Sequence, residues 1–127
     1  MIRSAEVQVG FFDRLFRKEK PPTAGPEQAV LVYFDYGSTD LSALFAVEEA
    51  LERVIADAKA GELDGNEIAT DGSDGTLFMY GPNADALFAA IHPTLEAAPF
   101  MQGARVVLRY GPADADVPER TLTLPLS

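Results

Sequence analysis

Four polar residues stand within two apolar segments, at a spacing that could gather them into a binding cluster. Tyr33 and Asp35 lie two apart in AVLVYFDY, and Arg105 and Arg109 lie four apart in ARVVLRY. Successive side chains of a strand point to opposite faces, so each pair falls on one face of its strand. A carboxylate and two guanidinium groups beside a phenol could bind a ligand or a partner. They could equally form a structural ion pair across neighbouring strands, worth about 0.2 to 1 kcal/mol.

The other reactive residue types predict no catalysis. His92 is the only histidine, and the sequence places no serine or carboxylate to work with it in acid–base or nucleophilic chemistry. The chain has no cysteine, which excludes disulfides, thiolate chemistry and cysteine zinc sites. The acidic residues between positions 64 and 74 lack the EF-hand spacing. We therefore predict no catalytic residue, no metal site and no cofactor.

Charge is distributed unevenly along the chain. The net charge of the 127 residues is -10, but residues 1–20 contain five basic and three acidic side chains, so the remainder carries -12. Because so acidic a body repels phosphate backbones, we expect no nucleic-acid binding. The acidic surface could serve solubility alone, or it could attract a basic protein partner.

The elements that must position these residues begin after a distinct N-terminal region, residues 1–27. Phe11, Phe12, Leu15 and Phe16 have the spacing of one apolar helix face, opposite basic side chains. So short a helix must dock, on the acidic body, on a second copy or on a membrane surface. The following KEKPPTAGPEQ is rich in proline and charge and is typical of a linker.

Two observations concern the location and the start of the chain. No apolar run reaches the length of a membrane span, and the N-terminus lacks the features of a signal peptide, so we expect a cytoplasmic protein. Segments similar to GFFDRLF stand at the start of many bacterial proteins. This similarity gives the hypothesis that the natural start lies at Val9, read as methionine from an alternative start codon.

Downstream of the linker, hydrophobic periodicity and turn residues predict seven elements in the order strand, helix, strand, strand, helix, strand, strand. The predicted bounds are strand 29–36, helix 38–61, strand 62–70, strand 76–81, a helix from 84, strand 104–110 and strand 119–126. Ser38 or Thr39 is expected to cap the first helix, and Pro93 to kink or restart the second. Pro125 favours a sheet edge for the last strand.

This order predicts an α+β domain over residues 28–127 with a ferredoxin-like fold: a split βαβ arrangement, βαββαβ, plus a C-terminal edge strand. We expect an antiparallel sheet with both helices on one face. The first and third strands should lie side by side at its centre, and we expect these two to run parallel. A sequence echo, YGSTDLSALF and YGPNADALF, supports their equivalence by aligning Phe34 and Tyr36 with Phe78 and Tyr80.

DGNE, LFMYGPNADALF and VVLRYGP, within residues 64–123, carry a resemblance that covers about half the chain. Together they resemble a group of small uncharacterised bacterial proteins with a ferredoxin-like domain. The resemblance implies the fold. It supplies no catalytic residue and no function.

In such a fold, the sheet face away from the helices is open to a ligand or partner. Alternation predicts there three sets, one from each of the first, third and fourth strands: Leu31, Tyr33 and Asp35; Leu77 and Met79; Arg105, Val107 and Arg109. We predict that Tyr33, Asp35, Met79, Arg105 and Arg109 form the functional surface of a non-enzymatic interaction module, which forms a homodimer or binds a basic protein. The alternative is a small-ligand-binding or enzymatic domain that uses the Tyr/Asp/Arg cluster.

Overall fold

The computed structural model describes residues 27–113 and 116–126. They form β1 (Gln28–Asp35), α1 (Ser42–Ala58), β2 (Glu62–Ile68), β3 (Asp74–Gly81), α2 (Ala84–Ala97), β4 (Arg105–Arg109) and β5 (Glu119–Thr123). A short 3₁₀ helix, Pro99–Met101, leads from α2 towards β4. The predicted amphipathic segment and nearly all of its linker lie outside the described residues.

The five strands form one sheet in the order β2-β3-β1-β4-β5, and every neighbouring pair is antiparallel. The predicted ferredoxin-like α+β fold, including the edge position of the last strand, is thereby confirmed. The expectation that the first and third strands run parallel was wrong. The crossover through α1 makes β2 run in the direction of β1, and the β2–β3 hairpin then reverses the chain, so β3 must oppose β1.

Both helices pack on one face of the sheet and enclose the hydrophobic core. The α1 side chains buried there recur at helical spacing and are Leu44, Glu48, Leu51 and Ile55. The sheet contributes Val30 and Val32 from β1 and Leu77 and Met79 from β3, all fully buried. Phe45, which the periodicity also assigned to the apolar stripe of α1, lies beside it instead and is 40% exposed.

The aligned residues of the two similar segments, YGSTDLSALF and YGPNADALF, do not occupy equivalent positions in the sheet. The second segment is shifted by one residue along its strand. Phe34 is buried in the core, and Tyr36 packs against the same side. Phe78 and Tyr80 instead pair with Leu31 and Ala29, whose side chains point away from the helices. Since a shift of one residue moves a strand side chain to the other face, the aligned aromatic residues lie on opposite sides of the sheet.

Hydrogen bonds stabilise the first strand-to-helix corner, residues 36–44. The Tyr36 hydroxyl donates to the Asp40 carbonyl at 2.7 Å and accepts the Leu44 N–H at 3.3 Å. Asp40 accepts the backbone N–H of Ser42, the first residue of α1, at 3.0 Å. The expected cap by Ser38 or Thr39 was wrong, because Leu41 occupies the N-cap position and no side chain caps the helix there. These hydrogen bonds hold the end of β1 to the first turn of the helix.

The second helix begins with a side-chain cap. Asn83 accepts the Ala86 N–H at 3.0 Å, and Asp85 lies in the first turn, where a negative charge complements the helix dipole. Asp85 also accepts a 2.6 Å hydrogen bond from the Tyr110 hydroxyl, which ties the helix start to the end of β4. Pro93 does not restart the helix, which is assigned as one element from Ala84 to Ala97.

Neither α1 nor α2, the α-helices within residues 27–113 and 116–126, is long and apolar enough to cross a membrane.

Candidate functional site

The sheet face opposite α1 and α2, here called the open face, is organised in three rows that run across the strands. Directly paired residues of antiparallel strands lie on the same face, so the register identifies each row from β2 through β3 and β1 to β4. In that order, the first row is Glu67, Thr76, Tyr33 and Arg105; the middle row is Gly65, Phe78, Leu31 and Val107; the third row is Glu62, Tyr80, Ala29 and Arg109.

Four of the five predicted surface residues lie on this face. The register places Arg105 opposite Tyr33 and Arg109 opposite Ala29, and Asp35 continues the alternation of Tyr33. The placement of Leu77 and Met79 on this face was wrong, because they pair with Val32 and Val30 on the helix side and both are 0% exposed. The one-residue offset in the echo is the physical reason.

Phe78 is the residue that replaces Met79 on the open face. Together with Thr76 and Tyr80, it was missed by sequence reasoning, because only the pairing register with β1 reveals which side of β3 faces outwards. All three side chains are half-buried. The third strand therefore adds two aromatic rings to the surface.

The two arginines of β4 are held differently. The Arg105 guanidinium carbon lies 4.4 Å from the centroid of the Tyr33 ring, a cation–π contact. Arg109 donates from Nε to the Gly111 carbonyl at 2.9 Å, a bond that does not use its two terminal amino groups. The arginines stand four residues apart, or about 13 Å along the strand, so they mark opposite ends of the open face.

Asp35 does not join the two arginines in one cluster. It pairs with Asp74 of β3, beyond the last residue of β1 that pairs with β4. No ion pair joins Asp35 to Arg105 or Arg109 among the residues described. A shallow, open depression of about 350 Å³ lies at this end of the sheet, lined by Tyr33, Phe34, Asp35, Asp74, Gly75, Thr76, Gly103 and Arg105. Arg109 lies outside it.

Three acidic side chains, those of Glu27, Glu62 and Asp64, lie close together at the β2 edge of the open face. Partial burial raises the pKa of Glu27 above its ordinary 4.5, and repulsion from Glu62 and Asp64 raises this pKa further. Arg109 acts in the opposite direction on the same carboxyl group. An additional positive charge at this margin would therefore relieve a repulsion that the folded chain contains.

Replacing Glu27 with glutamine should stabilise the domain slightly at neutral pH. The folded-state pKa is raised, so the folded protein holds this proton more tightly than the unfolded chain and is destabilised by ionisation of Glu27. The gain of Glu27→Gln should be present above the raised pKa and should vanish as the pH falls below 4.5. Urea unfolding at pH 7.0 and at pH 3.5 measures the difference; an equal gain at both values would contradict the electrostatic cause.

A buried polar pair lies on the other side of the sheet. Asn66 Nδ2 donates to Glu48 Oε2 at 2.9 Å, and the two residues are only 5% and 8% exposed. Sequence reasoning missed this pair, although Glu48 interrupts the apolar stripe at a buried helical position and was the available signal. The hydrogen bond joins α1 to β2 within the core and fixes how the helix sits on the sheet.

His92 has a carboxylate partner that sequence reasoning did not assign. Its Nε2 lies 2.6 Å from Glu96 Oε2, one helical turn on, and its ring stacks on Phe88 with centroids 5.2 Å apart. Hydrogen bonds from the Leu126 N–H and from His92 lower the pKa of Glu96. Glu96 thus holds the C-terminal segment to α2, and the pair has a structural role.

These features define a ferredoxin-like α+β domain whose open face combines apolar rings with separated charges. Within the described ranges, no three histidine, aspartate or glutamate side chains stand close enough to hold a metal ion. No family model, curated protein or solved structure matches the chain.

Proposed function

We propose that this domain is a non-enzymatic protein-interaction module that self-associates through its open face. The proposal rests on the order of side chains across the strands of the open face. Carboxylates lie on β2, apolar and aromatic side chains on β3 and β1, and guanidinium groups on β4. A surface with an apolar centre and opposite charges on its two sides can match a second copy of itself.

The size of the face agrees with a modest interface. Strands lie about 4.8 Å apart and rise about 3.4 Å per residue, so five strands of five to eight residues offer a face of roughly 20 by 25 Å. This flat area of roughly 500 Å² is below the roughly 800 Å² per partner of a standard interface, so we expect a weak to moderate affinity. The half-buried Leu31 and Phe78 lie near its centre, where anchoring side chains contribute most.

A basic protein is a second candidate occupant of the same face. The observation that favours it is the crowding of Glu27, Glu62 and Asp64, together with a net charge of -10. Long-range attraction would speed the encounter with such a partner. A chain that stays monomeric alone but binds a cationic protein through Phe78 would support this second candidate over self-association.

A small-ligand site is a candidate from a different class. Tyr33, Asp35, Thr76 and Arg105 line one depression, which brings a phenol, a carboxylate, a hydroxyl and a guanidinium together. This site would use one end of the open face and would leave out Arg109. A metabolite that raises the melting temperature of the wild type, but not of Arg105→Ala, would favour this candidate.

Sedimentation equilibrium of the full chain tests self-association. We expect the wild type to show a concentration-dependent shift from monomer to dimer between about 1 μM and 1 mM, the range of weak and moderate affinities. Phe78→Asp should remain monomeric over this range, since it places a charge at the centre of the apolar row. Phe45→Asp is the matched control, because Phe45 is an exposed aromatic residue on α1, away from the open face.

Two results would overturn the proposal. One is a wild type that remains monomeric at 1 mM. The other is equal loss of association in Phe78→Asp and Phe45→Asp, which would show that the open face has no special part in it.

A further inference from the structure

We infer that the depression at the Tyr33 end of the open face binds a small zwitterion, a molecule whose ammonium and carboxylate groups are about 6 Å apart by ordinary bond lengths, as in an ω-amino acid or a dipeptide. This inference goes beyond the proposed self-association and does not depend on it. The opposite charges at the two ends of one depression carry it.

One end of the depression has two carboxylates that face each other. The register pairs Asp35 of β1 directly with Asp74 of β3, and both side chains are exposed. Residues paired in this way have Cβ atoms about 5 Å apart, and like charges there are unfavourable. Within the described ranges, no basic side chain forms an ion pair with either aspartate. An ammonium group, which has three N–H donors, can bridge the two carboxylates and offset their repulsion.

The other end of the depression has one guanidinium group. The Arg105 guanidinium carbon lies 4.4 Å from the centroid of the Tyr33 ring, and the side chain is exposed. The cation–π contact holds the group in place without a hydrogen bond to an oxygen atom. Its N–H donors can therefore form two parallel hydrogen bonds with a carboxylate.

The spacing and the volume define the size of the ligand. Asp35 lies two residues beyond Tyr33, so the carboxylates stand about 7 Å further along the strands than the ring that holds Arg105. The volume of about 350 Å³ lies at the lower end of the range of small-molecule sites. Gly103 lines the depression without a side chain, and Thr76 adds a hydroxyl group that can donate or accept a hydrogen bond.

A ligand with a single charge would match only one end of the depression. An amine without a carboxylate would leave Arg105 without an anion. A carboxylate without an amine would meet the repulsion of Asp35 and Asp74. Because each end rejects the charge that the other end attracts, the depression should select molecules that have both charges.

Titration of the full chain with δ-aminovalerate, followed by ¹H–¹⁵N correlation spectra, tests the ligand class. We expect saturable shifts of the Tyr33, Asp35, Thr76 and Arg105 amides, with a Kd of about 1 to 10 mM because the depression is shallow and open. Valerate and pentylamine each keep one charge on the same carbon chain and should bind about fivefold more weakly. Glycylglycine has the same number of bonds between its charges, and whether it binds more tightly or more weakly than δ-aminovalerate assigns the site to peptides or to ω-amino acids.

Charge-neutral variants test the location of the site. Arg105→Gln and Asp74→Asn should each weaken the binding of δ-aminovalerate about fivefold, since each removes one of the proposed charge contacts. Arg109→Gln is the matched control for the first, because it removes the same charge outside the depression. Glu49→Gln, at an exposed position of α1, controls for the loss of a negative charge. Both controls should bind like the wild type.

Three results would overturn the inference. The first is no saturable shift up to about 50 mM δ-aminovalerate, well beyond the expected Kd. The second is equal binding of δ-aminovalerate, valerate and pentylamine. The third is equal weakening by Arg105→Gln and Arg109→Gln, which would mean that only the overall charge matters. Circular dichroism melts verify folding, and if a variant does not fold, the three ligands compared on the wild type still decide. Sedimentation of the wild type without ligand tests self-association separately.

Discussion

Met79→Asp should prevent folding, whereas Phe78→Asp should leave a folded domain. The two residues are neighbours in β3, but Met79 is fully buried beneath the helices and Phe78 lies on the open face. Burying a carboxylate with no partner costs several kcal/mol, and the lost methionine packing adds about 2 to 5 kcal/mol. This total approaches the whole stability of a small domain, about 5 to 15 kcal/mol. Circular dichroism melts of the purified variants measure the contrast.

Phe78→Asp should cost only about 1 to 2 kcal/mol, since the Phe78 side chain is only partly buried and lies on the face opposite the helices. Thr76→Asp is a further control on the same side of the strand and should also fold. Equal destabilisation by Met79→Asp and Phe78→Asp would mean that both faces of β3 are covered. The open face would then not exist.

Gly72→Ala should lower the free energy of unfolding by about 3 kcal/mol or more, through positive-φ strain and steric overlap. Gly72 has φ = 74° in the turn between β2 and β3, and a Cβ there would overlap the carbonyl oxygen of Ser38. Its own carbonyl accepts hydrogen bonds from the N–H groups of Gly37 at 2.6 Å and Ser38 at 3.1 Å. The turn between β2 and β3 therefore contacts the segment that follows β1. The methyl group added by Gly72→Ala would push these two segments apart.

Gly37→Ala is the matched control for this steric effect. Gly37 has a similar φ of 87°, but a Cβ there would have no neighbour within 4 Å. It should cost only the backbone strain of about 1 to 2 kcal/mol. Urea unfolding of both variants gives the comparison, and an equal loss in the two would show that the contact between the turn and Ser38 is unimportant.

Local patterns predicted most of the fold. The alternation and β-branched residues around Val30 and Val32 mark β1, and the apolar spacing that contains Leu44 and Leu51 marks α1. These signals come from neighbours along the chain, so they survive without tertiary information. The element order then left the ferredoxin-like arrangement as the natural way to cover one sheet face with two helices.

The features that could not be predicted depend on how elements that are distant in the sequence meet. Tyr33 and Arg105 were assigned to the correct face, because alternation within each strand was sufficient. Met79 was assigned to the wrong face, because the echo suggested a register that differs by one residue from the one formed. The Glu48–Asn66 hydrogen bond likewise depends on where α1 crosses β2.

The register bears on the alternative prediction of a ligand-binding or enzymatic domain. That alternative used Tyr33, Asp35 and the two arginines as one cluster. The rows instead separate Arg105 from Arg109 and place Phe78 and Leu31 between them. The same residue types thus form a surface with opposite charges on its two sides, and this order supports the proposal of association with another chain.

The most direct test of the open face as the association surface is a dilution series followed by ¹H–¹⁵N correlation spectra of the wild type. Between about 20 μM and 1 mM, a range that spans moderate to weak affinities, the account predicts concentration-dependent amide shifts in β1 and β3, centred on Leu31 and Phe78. The chemical shifts of the α1 amides around Phe45 should not change with concentration. Shifts confined to the helices, or a spectrum that does not change with concentration, would contradict it.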